Sequence, residues 1–313
     1  MSAEVLQQAF FREMDKLRHS AKRIQPLDTA EMARKVGLLP HEAVLYIQKY
    51  GSYGRQGSGD MFDALATFLC FLCEQGKVNR VLEYTTVPSV LTARLAEGHK
   101  VKNVSYVAPY EQVVQVLQVL FDDTAASIVR NTTELKKDAG FDAIICVPPL
   151  GHRPEGQSQA DGFGGEVVRQ LVPVLAKGGT LYWVTGRGAV FNPRGEETLA
   201  DLRNDGLSAV ATIDVAPGSF LGTTIEGVVI ALRRDAPAKR FVGALRDIET
   251  AEPMASAFLG GPSRKAGASW AWLDTEDQRT FGDLEDARLL QKLAPRGRHT
   301  SVSLASLLMG DNV

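Results

Sequence analysis

The apolar positions of the first 77 residues recur at helical spacing. Phe10, Phe11, Met14 and Leu17 fall on one face, with Lys16, Arg18, Lys22 and Arg23 between or beyond them. Asp28-Thr29 ahead of Ala30-Glu31-Met32 predicts an N-cap and a first turn; Gly37 and Pro40 then punctuate, and a helix follows over 41–50. The glycine-rich stretch 51–59 reads as a connector, and a more hydrophobic helix is predicted over 61–74. From residue 78 the period changes. Short runs rich in β-branched residues predict strands at 80–83, 103–107, 126–130, 142–146, 180–185, 209–215 and 227–232. Helical patterns at 88–97, 110–121, 165–176 and 196–204 separate most of them. Such alternation predicts an α/β domain over 78–235, its mostly parallel sheet covered by helices on both faces. A loop joins the last two strands, which predicts an antiparallel pair there. The helical start, 1–77, forms one region, and 236–313 forms a less regular C-terminal extension that opens a further unit or ends as a tail. Within it Trp270 and Trp272 alternate as in a strand, and a helix is predicted over 282–293.

A chain of 313 residues, 44% of them hydrophobic, can bury one large core and an appended smaller unit. The formal charge of −2 means that any contact with nucleic acid must use a local basic face or a partner subunit. The strongest basic run, Arg288, Lys292, Arg296, Arg298 and His299, reads first as a solvated helix face. Cys70, Cys73 and Cys146 make no disulfide framework and favour a reducing cytoplasm. Cys70 and Cys73 are spaced as CxxC, but with no second pair to complete a zinc site they read as packing residues. The start has no secretory core and the most apolar run, 64–73, is too short to span a bilayer, so a soluble cytoplasmic protein without membrane contact is expected. His152 reads as a loop residue that faces solvent or a substrate. No Ser/His/Asp order and no phosphate-cradling loop stands out.

Three segments occur in an order that carries further meaning. Phe141-Asp142-Ala143-Ile144-Ile145-Cys146-Val147-Pro148-Pro149-Leu150-Gly151 is a strand entering a Pro-Pro loop. Leu171-Val172-Pro173-Val174-Leu175-Ala176-Lys177-Gly178-Gly179-Thr180-Leu181 is a helix, a Gly-Gly turn and a strand. Ala189-Val190-Phe191, a helix containing Leu202-Arg203, the run from Ala209 to Phe220, and Gly227-Val228-Val229-Ile230-Ala231-Leu232 complete the series. Together these resemble the modification subunit of type I restriction–modification systems, a branch of the adenine-N6 DNA methyltransferases. The resemblance covers about 78–234. It implies a Rossmann-like, seven-stranded class I methyltransferase fold, S-adenosylmethionine as cofactor, and DNA and a specificity or other defence-system subunit as partners.

The resemblance also says where the chemistry would sit. The cofactor lies outside the carboxyl ends of the first strands, where the strand order reverses, and needs close backbone approach in the loop after strand one. Here that loop is Glu83-Tyr84-Thr85-Thr86-Val87-Pro88-Ser89, which has an acidic residue in the matching place and no glycine. Glu83, Tyr84, Thr85, Val87 and Ser89 are therefore the degenerate cofactor positions, and Glu83 reads equally as a carboxylate favoured by a helix N-terminus. The second strand runs into Val107-Ala108-Pro109, where Pro109 replaces the carboxylate that would take the ribose hydroxyls. In the family's Asn-Pro-Pro-Phe loop, a polar residue orients the adenine amino group and the aromatic stacks on the extruded base. Val147, Pro148, Pro149 and Leu150 occupy those positions; the prolines persist, but valine accepts no hydrogen bond and leucine stacks no base. Three readings follow. The chain is a degenerate methyltransferase homologue acting as a non-catalytic DNA- or partner-binding scaffold. Alternatively, it is an active adenine-N6 methyltransferase of DNA or RNA with divergent loops, or an assembly subunit with no nucleic-acid contact.

Overall fold

The computed structural model describes residues 3–19, 24–50, 63–97, 101–121, 127–136, 139–148, 163–191, 193–217, 219–220, 226–235, 237–262, 267–275 and 282–286. The connector 51–59, His152, Pro149, Leu150, the basic run from Arg288 to His299 and the end of the chain lie outside them.

Four helices come first: α1 (Ala3–His19), α2 (Pro26–Val36), α3 (Pro40–Tyr50) and α4 (Asp63–Gln75). Phe10 and Met14 are buried with Ala33, Leu38 and Ala43, whereas Phe11 stays partly exposed and packs edge-on to Tyr46. The start of α2 differs from the expected cap. Pro26 opens the helix, where its missing N–H costs nothing, and Asp28 sits in the third helical position and accepts from the Gln25 backbone N–H at 2.9 Å. Gly37, at φ 80°, closes the helix in the left-handed conformation that favours glycine.

The remaining chain gives β1 (Arg80–Thr85), α5 (Val90–Glu97), β2 (Asn103–Val107), α6 (Glu111–Phe121), β3 (Ser127–Val129), β4 (Phe141–Val147), α7 (Phe163–Leu171), β5 (Leu175–Gly186), α8 (Pro193–Asn204), β6 (Ser208–Val215) and β7 (Gly227–Arg233). All seven predicted strands are present. The predicted helix over 165–176 ends sooner, because Pro173 cannot donate to the preceding turn and 172–174 tighten into a 3-10 turn. β5 then starts five residues early. It accommodates the Lys177-Gly178-Gly179 turn by a register shift against β4, with Gly178 at φ 83°.

The sheet runs β3-β2-β1-β4-β5-β7-β6 and then continues beyond the expected seven strands. β8 (Lys239–Leu245) adds parallel to β6, and β9 (Trp270–Asp274) adds antiparallel to β8, for nine strands among the described residues. Between them α9 (Ile248–Leu259) packs on α4. The β5–β7 and β6–β7 pairs are antiparallel, as the connecting loop predicts. Two apolar layers cover the sheet: α4, α5, α6 and α9 supply residues to one, and α7 and α8 to the other. The strand order reverses between β1 and β4, so the two chain crossovers diverge at that point and leave the carboxyl ends of β1, β2 and β4 on one edge.

Candidate functional site at the carboxyl edge of the sheet

Register brings the sequence-predicted positions together. Tyr84 pairs with Val107 on one side and Cys146 on the other, and Thr85 pairs with Val147. The loops after β1, β2 and β4 therefore meet at the same edge. Val147 and Pro148 are buried, and Pro109 is exposed.

The loop after β1 is closed upon itself. The Thr85 hydroxyl donates to the Val87 carbonyl, and the Val87 N–H lies 3.3 Å from the same Thr85 oxygen. This local turn draws two β-branched side chains inward. Ser89 accepts from the Leu91 N–H at 3.2 Å and so caps α5. Every residue from Val81 to Leu91 is buried, including the polar Glu83, Thr85, Thr86 and Ser89.

Glu83 is the anomaly of the site. Its side chain is 0% exposed, and neither carboxylate oxygen has a hydrogen-bond partner among the described residues. It faces the apolar layer beneath α4 and α5, close enough to Cys73 to add to the rise in that thiol's pKa. Burial pushes its pKa from the ordinary 4.5 up to about 8; the nearby Ser89 hydroxyl draws it back only in part, without making a bond of ordinary geometry to either oxygen. The group is accordingly a neutral acid near pH 7. Thr86 Oγ1 is likewise buried with no partner among the described residues.

Beneath the second loop, Trp183 of β5 is 1% exposed and its indole N–H finds no acceptor among the described residues. An ideal Cβ at Gly164 would lie 3.2 Å from Pro148 Cγ and 3.3 Å from Trp183 Cζ2. The first residues of α7, the loop proline and the indole therefore form one tight stack. Gly165 likewise lets α7 approach Thr198 of α8. Neither glycine stood out in the sequence, although their adjacency at a helix start is the signal of close packing.

Further along this edge, β5, β6 and β8 end and β7 begins around a cavity of about 390 Å³ lined by Arg187, Asp214, Glu226, Gly227, Leu245 and Arg246 among others. Arg187 lies 3.8 Å from Asp214 and 3.6 Å from Glu226, and its guanidinium sits 5.5 Å above the exposed Phe191 ring. Arg246 pairs with Glu285. Burial raises the pKa of Asp214, and Arg187 opposes that rise. No sequence motif joins these charged residues, because separate segments of the chain bring them together. Cys73 is buried and burial raises its thiol pKa, which suits a packing role. Among the described residues no group of three or more His, Cys, Asp or Glu could hold a metal ion, and no helix is long and apolar enough to cross a membrane.

No family model matches the chain, and no curated protein does. Solved structures do match. A type I restriction-modification methyltransferase subunit from Streptococcus thermophilus superposes with a TM-score of 0.58 at 12% identity, over 83% of this chain and 62% of that one. A modification subunit attributed to a type I restriction enzyme of Vibrio vulnificus gives 0.53 at 12% identity, over 82% and 69%. A protein of Listeria monocytogenes described as a class I S-adenosylmethionine-dependent methyltransferase gives 0.54 at 14%, over 81% and 88%. The chain thus spans less than two thirds of the streptococcal subunit. Its fold is Rossmann-like and similar to that of these class I methyltransferases and type I restriction–modification methyltransferase subunits.

Proposed function

We propose that the chain is a degenerate adenine-N6 methyltransferase homologue that serves as a non-catalytic DNA- or partner-binding scaffold. One observation carries this reading: the loop after β1 is filled by its own side chains down to a fully buried Glu83. S-adenosylmethionine would need a hollow there with backbone open to it and an anionic carboxylate beside it. The residues present fit neither need. The loop has no glycine, and Glu83 is neutral near pH 7 because it is dry. At the tip of β2 stands Pro109, which has no carboxylate to offer ribose hydroxyls. Val147, ahead of Pro148, supplies no side-chain acceptor for an adenine amino group.

Scaffold function draws on what the fold retains. The carboxyl edge keeps Arg187 stacked on the exposed Phe191, a pairing suited to a base or to a partner's planar side chain. Two assays on the full chain test the proposal together. Incubation with labelled S-adenosylmethionine and adenine-containing duplex DNA is expected to transfer no methyl group. A gel shift with the same duplex at low salt is expected to show a complex that weakens steeply as salt rises. Methyl transfer would overturn the non-catalytic reading. A missing gel shift would remove DNA and leave a protein partner as the scaffold's ligand.

A further inference from the structure

The opposite edge of the sheet holds a second cavity, of about 210 Å³, that the reading above leaves unused. It lies where α4 turns into β1, beside the starts of β4 and β5 and the end of β7. Lys77, Lys177 and Arg233 line it, with Asp142 as its acidic member. Asp142 is already engaged: one of its oxygens accepts from the Asn79 N–H at 2.9 Å and from the Arg80 N–H at 3.1 Å. Arg233 is seated, its Nε donating to Thr180 Oγ1 at 2.8 Å and its guanidinium lying over the Phe258 ring. Lys77 and Lys177 are exposed and form no ion pair with a described residue. Three cations thus face one carboxylate.

The backbone of Lys77 is a second, independent sign. The Val78 N–H bonds to the Cys73 carbonyl and the Gly76 N–H to the Leu72 carbonyl, which closes α4 and puts Lys77 in the left-handed position that glycine normally takes. Lys77 is the one non-glycine described residue with positive φ, at 56°. Glycine stands one residue earlier, at Gly76. The chain therefore holds a lysine, at a conformational cost, where it lines a pocket already rich in positive charge.

We propose that this pocket binds a phosphate group, with Lys77 and Lys177 as the mobile charges and Arg233 as the seated one. An excess of cations with separate donors fits an oxyanion that presents several acceptor oxygens. That chemistry belongs both to a small phosphorylated molecule and to the backbone of a nucleic acid.

Titration calorimetry of the full chain with inorganic phosphate in low-salt chloride buffer tests the site. Binding is expected, weakened about tenfold by each of Lys77→Ala and Lys177→Ala. Lys77→Gly removes the cation while relieving the left-handed strain, so it is expected to lose phosphate affinity without lowering the melting temperature. Absence of phosphate binding by the unaltered chain, or unchanged affinity in Lys77→Gly and Lys177→Ala, would overturn the proposal. A short DNA duplex separates the sources. If it displaces phosphate, and the same variants weaken its binding, the pocket takes backbone phosphate; if phosphate binds and the duplex does not compete, the pocket takes a small phosphoanion.

Discussion

Between pH 4.5 and pH 7 Glu83 is expected to remove about 3 kcal/mol of folding stability, and Glu83→Gln is expected to abolish that loss. Below 4.5 the carboxyl is protonated in the folded and unfolded chains alike, so it makes no difference to their balance. As pH rises past 4.5 the unfolded chain releases the proton, while the buried acid keeps it until about pH 8. The folded state then binds more protons than the unfolded state, and stability falls with rising pH. Near pH 8 the folded group ionises as well, and the loss levels off. Glutamine has a similar shape and no proton to release, so the variant's curve lacks this component. Urea denaturation of both proteins across the range, read as the difference between the two curves, isolates Glu83 from the other carboxylates. Parallel curves would mean that the carboxylate is hydrated in the folded chain, and hence that water reaches the floor of the loop.

Trp183→Ala is expected to cost about 4 kcal/mol, whereas Trp183→Phe is expected to cost about 1 kcal/mol. Alanine leaves a void in the layer between the sheet and α7, and it withdraws the surface against which Pro148 and Gly164 rest. Phenylalanine gives up some of the contact area, but it also removes an indole N–H that is buried without an acceptor. That orphan donor carries a desolvation penalty in the natural protein, and its removal offsets part of the lost packing. Chemical denaturation of the two variants beside the unaltered chain separates packing from hydrogen bonding. Equal costs for phenylalanine and alanine would show that the N–H has a partner, and that the stack under Pro148 is held by more than shape.

Much of this arrangement was legible before any coordinates. Strands β1 to β7 were marked by short β-branched runs between helical patterns, and the loop between β6 and β7 announced the reversal of direction. The sheet's last two strands were partly hidden by local chemistry. β8 contains Gly243, which reads as a strand breaker but is the point where the Met254 sulfur sits against the backbone, 3.1 Å from where a Cβ would stand. α9 carries Pro253 in its interior, a residue that disfavours a helix by removing one backbone hydrogen bond, yet Ala251, Met254, Ala255, Ala257 and Phe258 are buried and hold the helix in place. β9 was foreshadowed by Trp270 and Trp272, whose alternation gave a strand without saying which strand it would join.

The candidate site was legible as a set of positions and illegible as an environment. Side-chain identity at 83–89 shows that glycines are absent, and the resemblance places the loops after the first, second and fourth strands at one site. Nothing in the string of letters gave the dryness of Glu83, which depends on α4 and α5 lying over the sheet. Arg187, Asp214 and Glu226 are invisible for the same reason, since they come from the end of β5, from β6 and from the residue before β7, which only the finished sheet aligns. A lysine after a glycine looks ordinary in sequence, and only its φ angle sets Lys77 apart.

Whether a ligand can enter above Glu83 decides more than any other property of this protein. Calorimetric titration of the full chain with S-adenosylmethionine, carried to millimolar ligand, addresses it directly. The filled loop predicts no saturable heat and no rise in melting temperature. Saturable binding in the micromolar range would mean that the adenosyl group finds room among Thr85, Thr86 and Val87, and the scaffold account would give way to an active methyltransferase on the same fold.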